Sequence, residues 1–102
     1  MELAKSISDF YLVILNDPRI SPVHISLYMA FLELWLQQGH ALPIEVFSRQ
    51  AMPLAKISGI ATYYKTVKEL HEFGYIRYVA SFNQYQGSLI YIDKIEINES
   101  KK

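Results

Sequence analysis

Residues 58–77, SGIATYYKTVKELHEFGYIR, carry the pattern that most constrains this chain. Spaced at about 100° per residue, Ile60, Tyr63, Thr66, Val67 and Leu70 fall on one arc, and Ala61, Lys65, Lys68 and Glu72 on the opposite one. Thr62 flanks the outer arc on one side, Tyr64 and His71 on the other. The pattern predicts an amphipathic helix from 59 to 73, opened by Ser58-Gly59 and closed by Gly74 as the first residue beyond the C-cap. A glycine there supplies the left-handed turn that lets the chain reverse directly into a strand, read as Tyr75 to Ala80. Leu70 and Ile76 then lock that helix to whatever sheet the strand joins.

The flanking sequence supplies the sheet. A polar loop, Ser81 to Ser88, separates the first strand from a second that begins at Leu89. Ile90 and Ile92 share one face of it, whereas Ile95 and Ile97 have the other parity, which predicts a bulge near Asp93-Lys94. Pro43 to Phe47 reads as a short strand, a third member of the sheet. Ser48 is a candidate N-cap for a helix through Ile57, and Pro53 leaves two options: a later start near Met52-Pro53, or a kink.

Upstream, Ser21 as N-cap and Pro22 at the first position open a helix that runs to about Gln38 and stops at Gly39. It carries two apolar stripes, Ile25, Tyr28, Leu32, Trp35 and Leu27, Phe31, Leu34, and so asks for two buried sides. Residues 6–16 read as a first helix, capped by Ser6 or Ser8 and stopped by Asp17-Pro18. Its stretch from Phe10 to Leu15 is apolar all round, a pattern that a buried strand shares.

Helix, turn, helix and hairpin in this order resemble the winged-helix regulators of bacteria. Thr62 in the first helical turn, Leu70 four residues before Gly74, and Tyr75-Ile76 after it carry that resemblance. The longer span from Pro22-Val23-His24-Ile25-Ser26-Leu27-Tyr28 to Gly87-Ser88 is similar to small winged-helix proteins of mobile elements. The resemblance implies a mainly α fold with a small antiparallel sheet, a winged helix-turn-helix with an extra N-terminal helix over residues 1–20; the end over 98–102 reads from its own residues as a loose tail. It also implies double-stranded DNA as the partner and a role in transcription regulation or as a DNA-processing accessory factor. The loop from Ser81 to Ser88 departs from the pattern in having no lysine or arginine, and the outer helical arc has no arginine or asparagine.

Composition sets the outer limits. A chain of 102 residues is the size of one domain, and an apolar fraction of 51% is more than enough to build a core. Without cysteine there is neither a disulfide scaffold nor a thiolate zinc site, and His24, His40 and His71 lack ligand spacing, so no metal or cofactor is expected. No apolar run reaches membrane-spanning length, and Met1-Glu2-Leu3-Ala4-Lys5 does not open like a signal peptide, which points to the cytoplasm. Glu69 and Glu72 flank His71, but no nucleophile or phosphate loop accompanies them, so no enzyme is expected. Ten basic residues balance ten acidic ones, yet five of the basic residues lie between Arg49 and Arg77, against two acidic ones.

The DNA-contact candidates are therefore Ser58 and Gly59, where a helix N-terminus offers free N–H groups to a phosphate; Ala61, Thr62, Tyr64, Lys65 and Lys68 on the outer arc and its flanks; Lys56 and Arg49 for backbone phosphates; and Asn83 and Gln86 at the hairpin tip. The apolar surplus of residues 10–15 and the two stripes of the 22–38 helix predict a homodimer through those two helices. Neutral net charge with that surplus also fits a second reading, a winged-helix interaction module in a replication or conjugation assembly that does not touch DNA.

Overall fold

The computed structural model describes residues 2–81, 83 and 85–92. Four helices and three short strands follow in the order α1 (Glu2–Ile14), α2 (Pro22–Gln37), β1 (Ile44–Val46), α3 (Ser48–Ala55), α4 (Ile60–Glu72), β2 (Arg77–Val79) and β3 (Ser88–Tyr91). The fold is mainly helical with a small antiparallel sheet. The strands are ordered β1-β3-β2, with Ile44 opposite Ile90 on one side of β3 and Tyr78 opposite Ile90 on the other. Ile90 and Ile92 are both buried, as their shared parity requires. The bulge expected at Asp93-Lys94, the residues Ile95 and Ile97, and the tail at 98–102 lie outside the described residues.

α2 is the hub, packed against α3, α4 and β1. Both of its apolar stripes pack on the chain's own elements: Tyr28, Leu32, Trp35, Leu27, Phe31 and Leu34 are buried, and Ile25 is half-buried against the same core. One small core does cover both stripes, so the premise that placed α2 at a dimer interface does not hold. Its start is built as the sequence indicates, with Ser21 at the N-cap and Pro22 following. The third helical residue is His24, whose Nδ1 accepts the backbone N–H of Ser21 at 3.0 Å. Histidine thus fills the place that Glu or Gln usually takes in a capping box.

α1 starts earlier than the residue-6 expectation and ends at Ile14, and Phe10 to Ile14 is helical rather than extended. Phe10 is fully buried and stacks on Tyr28 with ring centroids 3.9 Å apart, while Tyr75 meets its edge at 5.7 Å. A second tie comes from the turn after α1. Asp17 accepts a fork of hydrogen bonds from Arg19 Nε and Nη2 (2.8 and 2.9 Å) and one from the Tyr75 hydroxyl (2.7 Å). These donors hold the Asp17 carboxyl well below the usual carboxylate range, the Arg19 bond being the largest influence. The Arg19 guanidinium also lies over the Phe73 ring at 4.3 Å.

α3 begins at Ser48 with Phe47 at the N-cap, one residue earlier than expected, and Gln50 Oε1 accepts the Phe47 N–H. Pro53 sits within the helix rather than at its start, and the helix ends two residues later. Lys56 closes it in the left-handed region at φ 60°. Ser26 Oγ donates to the Ala55 carbonyl and joins this end of α3 to α2. In α4, Tyr63, Thr66, Val67 and Leu70 are buried as predicted, but Ile60 is 52% exposed. Side chains on a helix lean toward its N-terminus, so an apolar residue in the first position leans off the end of the helix, where no preceding turn covers it. Gly74, at φ +89°, turns the chain toward β2, and Tyr75 and Ile76 enter the core before pairing begins. Trp35, Leu70 and Ile76 are core members as expected.

Candidate functional site

The α3–α4 corner and the hairpin place the predicted residues in two neighbouring groups. The first is the outer face of α4. Gly59 is the N-cap, with no side chain capping the helix, so the first-turn N–H groups are left to solvent. Ser58, Ala61, Thr62, Tyr64, Lys65 and Lys68 are all exposed. Lys65 and Lys68 lie one turn apart, about 4.5 Å along the axis. The two lysines differ in their surroundings. Lys65 Nζ is 3.9 Å from Glu69 Oε2, whereas no acidic group among the described residues pairs with Lys68 or with Lys56.

The second group lines a groove of about 290 Å³ between the start of α3, the face of α4 and the hairpin. Arg49, Tyr64, Asn83 and Gln86, four candidates from three separated stretches of sequence, all border it, with Ser48, Ser81 and Ser88 between them. Its floor includes Tyr63, whose ring meets Tyr64 edge-on at 5.0 Å and whose hydroxyl is pushed upward in pKa chiefly by burial. The Arg49 guanidinium rests on the Phe47 ring at 4.2 Å, which aims a fixed cation along the rim. Asn83 does part of its work within the loop: it is exposed, and its Oδ1 accepts the Tyr85 N–H at 2.9 Å. Lys56 is not in the groove; it stands at the far end of α3.

A larger depression of about 730 Å³ shares Asn83 and Gln86 and lies on the other side of the hairpin, against Glu45, Val79 and Leu89. Glu45 Oε2 accepts the Gly87 N–H at 3.1 Å, so this side presents a carboxylate. An anionic ligand is favoured on the Arg49 side and disfavoured on the Glu45 side. Gln38 holds β1 in place by donating to the Glu45 carbonyl at 2.7 Å and accepting its N–H at 3.1 Å.

One cluster was not anticipated. His24 Nε2 lies 2.8 Å from Glu69 Oε1, and Ser21 Oγ lies 2.9 Å from His24 Nδ1. Serine, histidine and glutamate in a row have the connectivity of a hydrolase triad, but the geometry is structural. The Nδ1 lone pair is taken by the Ser21 backbone N–H, so Nε2 carries the proton and donates to Glu69, and no lone pair is left to activate Ser21 Oγ. The cluster pins the start of α2 to the middle of α4 and sets Glu69 beside Lys65. Its one sequence signal was a histidine in the third position of a capped helix.

Among the described residues, no group of acidic or histidine side chains is placed to hold a metal ion, and no helix is long and apolar enough to cross a membrane. Comparison with known proteins found no matching family model, no matching curated protein and no matching solved structure.

Proposed function

We propose that this chain is a winged-helix protein that binds double-stranded DNA, with α4 entering the major groove, as a transcription regulator or an accessory factor in DNA processing. The element order helix–strand–helix–helix–hairpin and the strand order β1-β3-β2 support the fold reading. One observation carries the functional reading: a helix that buries Tyr63, Thr66, Val67 and Leu70 turns Ala61, Thr62, Lys65 and Lys68 outward, beside a groove rimmed by Arg49, Asn83 and Gln86. Lys68, which forms no ion pair among the described residues, is the main phosphate or guanine contact. Lys65 is partly neutralised by Glu69, and Ser58-Gly59 seats a phosphate on the uncapped N–H groups.

Fluorescence anisotropy with a labelled mixed-sequence duplex, titrated at several salt concentrations, tests this. Each phosphate contact contributes about −0.9 to the slope of log affinity against log salt, so each costs roughly three- to fourfold between 50 and 200 mM. Lys68→Ala should reduce the slope by about one, and more than Lys65→Ala does. Wild-type protein that shows no salt-dependent binding to any duplex rejects the proposal. The exposure of Ile60 and of Leu54 at the α3–α4 corner favours a second reading in that event, a protein-interaction module that docks through the same corner.

A further inference from the structure

The floor of the groove beside α4 is a feature that the DNA reading leaves unused. Tyr63 borders the groove and is only 4% exposed, yet its hydroxyl meets no acceptor among the described residues. Burial keeps the proton on that hydroxyl, so it stands as an unspent donor beneath the groove. A buried donor left unpaired costs stability, and a ligand that accepts from it recovers that cost.

Further donors converge from other elements. α3 starts at Ser48 behind Phe47, which has no side-chain acceptor to cap it, so the N–H groups of Ser48 and Arg49 find no partner inside the helix. The Arg49 guanidinium, propped on the Phe47 ring, forms no ion pair among the described residues. From the hairpin, Ser88 Oγ accepts the Ser81 N–H at 3.4 Å and keeps its own proton to give. No acidic side chain among the described residues lines the groove, and the Glu45 carboxylate is held by Gly87 on the other side of the hairpin.

We infer that this groove binds a phosphomonoester. Its donors come from three sides, the start of α3, the α4 floor and the hairpin. A terminal phosphoryl group matches them with three free oxygens and close to two negative charges. A phosphodiester within a duplex has two free oxygens and one charge, and its tethers on both sides keep it at the rim near Arg49. The volume of about 290 Å³, at the small end of ligand pockets, also admits a small body attached to the phosphoryl group, with the half-exposed Tyr64 ring beside it. A small phosphorylated molecule and the 5′-phosphate end of a nucleic-acid strand both present this group. The inference rests on the groove's donors and stands whether or not α4 binds DNA.

Amide NMR shifts of the ¹⁵N-labelled full chain, titrated with inorganic phosphate and with glycerol 3-phosphate at about pH 7.5 and constant ionic strength, test it. Saturable shifts at Ser48, Arg49 and Ser88 with a millimolar dissociation constant are expected, and sodium chloride should give none. Arg49→Gln should raise that constant at least roughly tenfold. Tyr63→Phe should raise it roughly three- to tenfold while the melting temperature holds or rises, because only an unpaired hydroxyl is lost. Lys68→Ala should leave phosphate binding unchanged while it weakens duplex binding, which keeps this site separate from the DNA-reading face. A short 5′-phosphorylated strand that binds the groove more tightly than its 5′-hydroxyl counterpart marks a strand end as the source. Equal binding of the two strands, with saturable glycerol 3-phosphate, marks a small molecule. No saturable shift up to about 50 mM, or one that Arg49→Gln and Tyr63→Phe both leave unchanged, overturns the inference. So does a lower melting temperature for Tyr63→Phe, since the hydroxyl is then spent inside the protein.

Discussion

Replacing Gly87 with alanine sets two effects of opposite sign against each other. Gly87 has an ordinary backbone conformation, without the positive φ of Gly39 and Gly74, so alanine fits its dihedral angles. By itself that exchange reduces the freedom of the unfolded chain and stabilises by about 0.4–1 kcal/mol. The folded state opposes it. A Cβ at residue 87 would lie 2.8 Å from Glu45 Cγ, 2.9 Å from the Val46 carbonyl oxygen and 3.0 Å from the Val46 carbonyl carbon. The Glu45 side chain can move aside, but Val46 is β1 backbone, paired with β3 at Ser88. Relief therefore requires the hairpin to shift from β1, which breaks the Gly87-to-Glu45 bond and alters the groove walls at Gln86 and Ser88. Overpacking of this kind costs about 1–3 kcal/mol, so the clash outweighs the entropy gain and a net loss of about 1–2 kcal/mol is expected. For a domain of this size that corresponds to a melting temperature lower by roughly 4–16 °C in a circular-dichroism melt. An unchanged or higher melting temperature would refute the reasoning, since the hairpin would then not be held against β1 by close backbone contact.

Other consequences follow from the core and from Asp17. Leu70, fully buried between α4 and the sheet, should cost about 2–5 kcal/mol when truncated to alanine, read by chemical denaturation; a loss under 1 kcal/mol would contradict its place in the core. Asp17 has a carboxyl pKa depressed by Arg19 and Tyr75, so its stabilisation is complete above the unfolded value of about 3.9 and fades as pH falls below it. Urea midpoints for wild type and Asp17→Asn should therefore differ by a constant amount above about pH 5 and converge below about pH 4; parallel curves down to the lowest pH would exclude the ion-pair account. At the alkaline end, the Tyr75 hydroxyl is pushed up to about 12 by burial and by Asp17, so its contribution holds below about pH 10 and is lost between there and 12, and Tyr75→Phe should flatten that limb.

Much of the fold is legible from local chemistry. Ser21-Pro22 and Gly39 bracket α2, the arc of Tyr63, Thr66, Val67 and Leu70 sets the buried side of α4, and Gly74 marks the reversal into β2. Short-range rules suffice for these because capping, left-handed turns and helical periodicity involve residues within a few positions of one another. The outer face of α4 follows by subtraction, so Thr62, Lys65 and Lys68 could be named before any coordinates.

Tertiary structure decided the rest. Ile60 obeys the helical period yet is exposed, because a period says which side a residue faces and not whether anything lies there. The two stripes of α2 called for two neighbours, and only the packing showed that both come from its own chain, while Tyr11, Leu12, Val13 and Leu15 stay exposed. The groove that gathers Arg49, Tyr64, Asn83 and Gln86 depends on the hairpin folding back over α3. The His24–Glu69 and Asp17–Tyr75 bonds span 45 and 58 residues of sequence. Sequence periodicity carries no information about partners at that separation, because which polar groups meet is fixed only when whole elements dock and most buried donors find an acceptor.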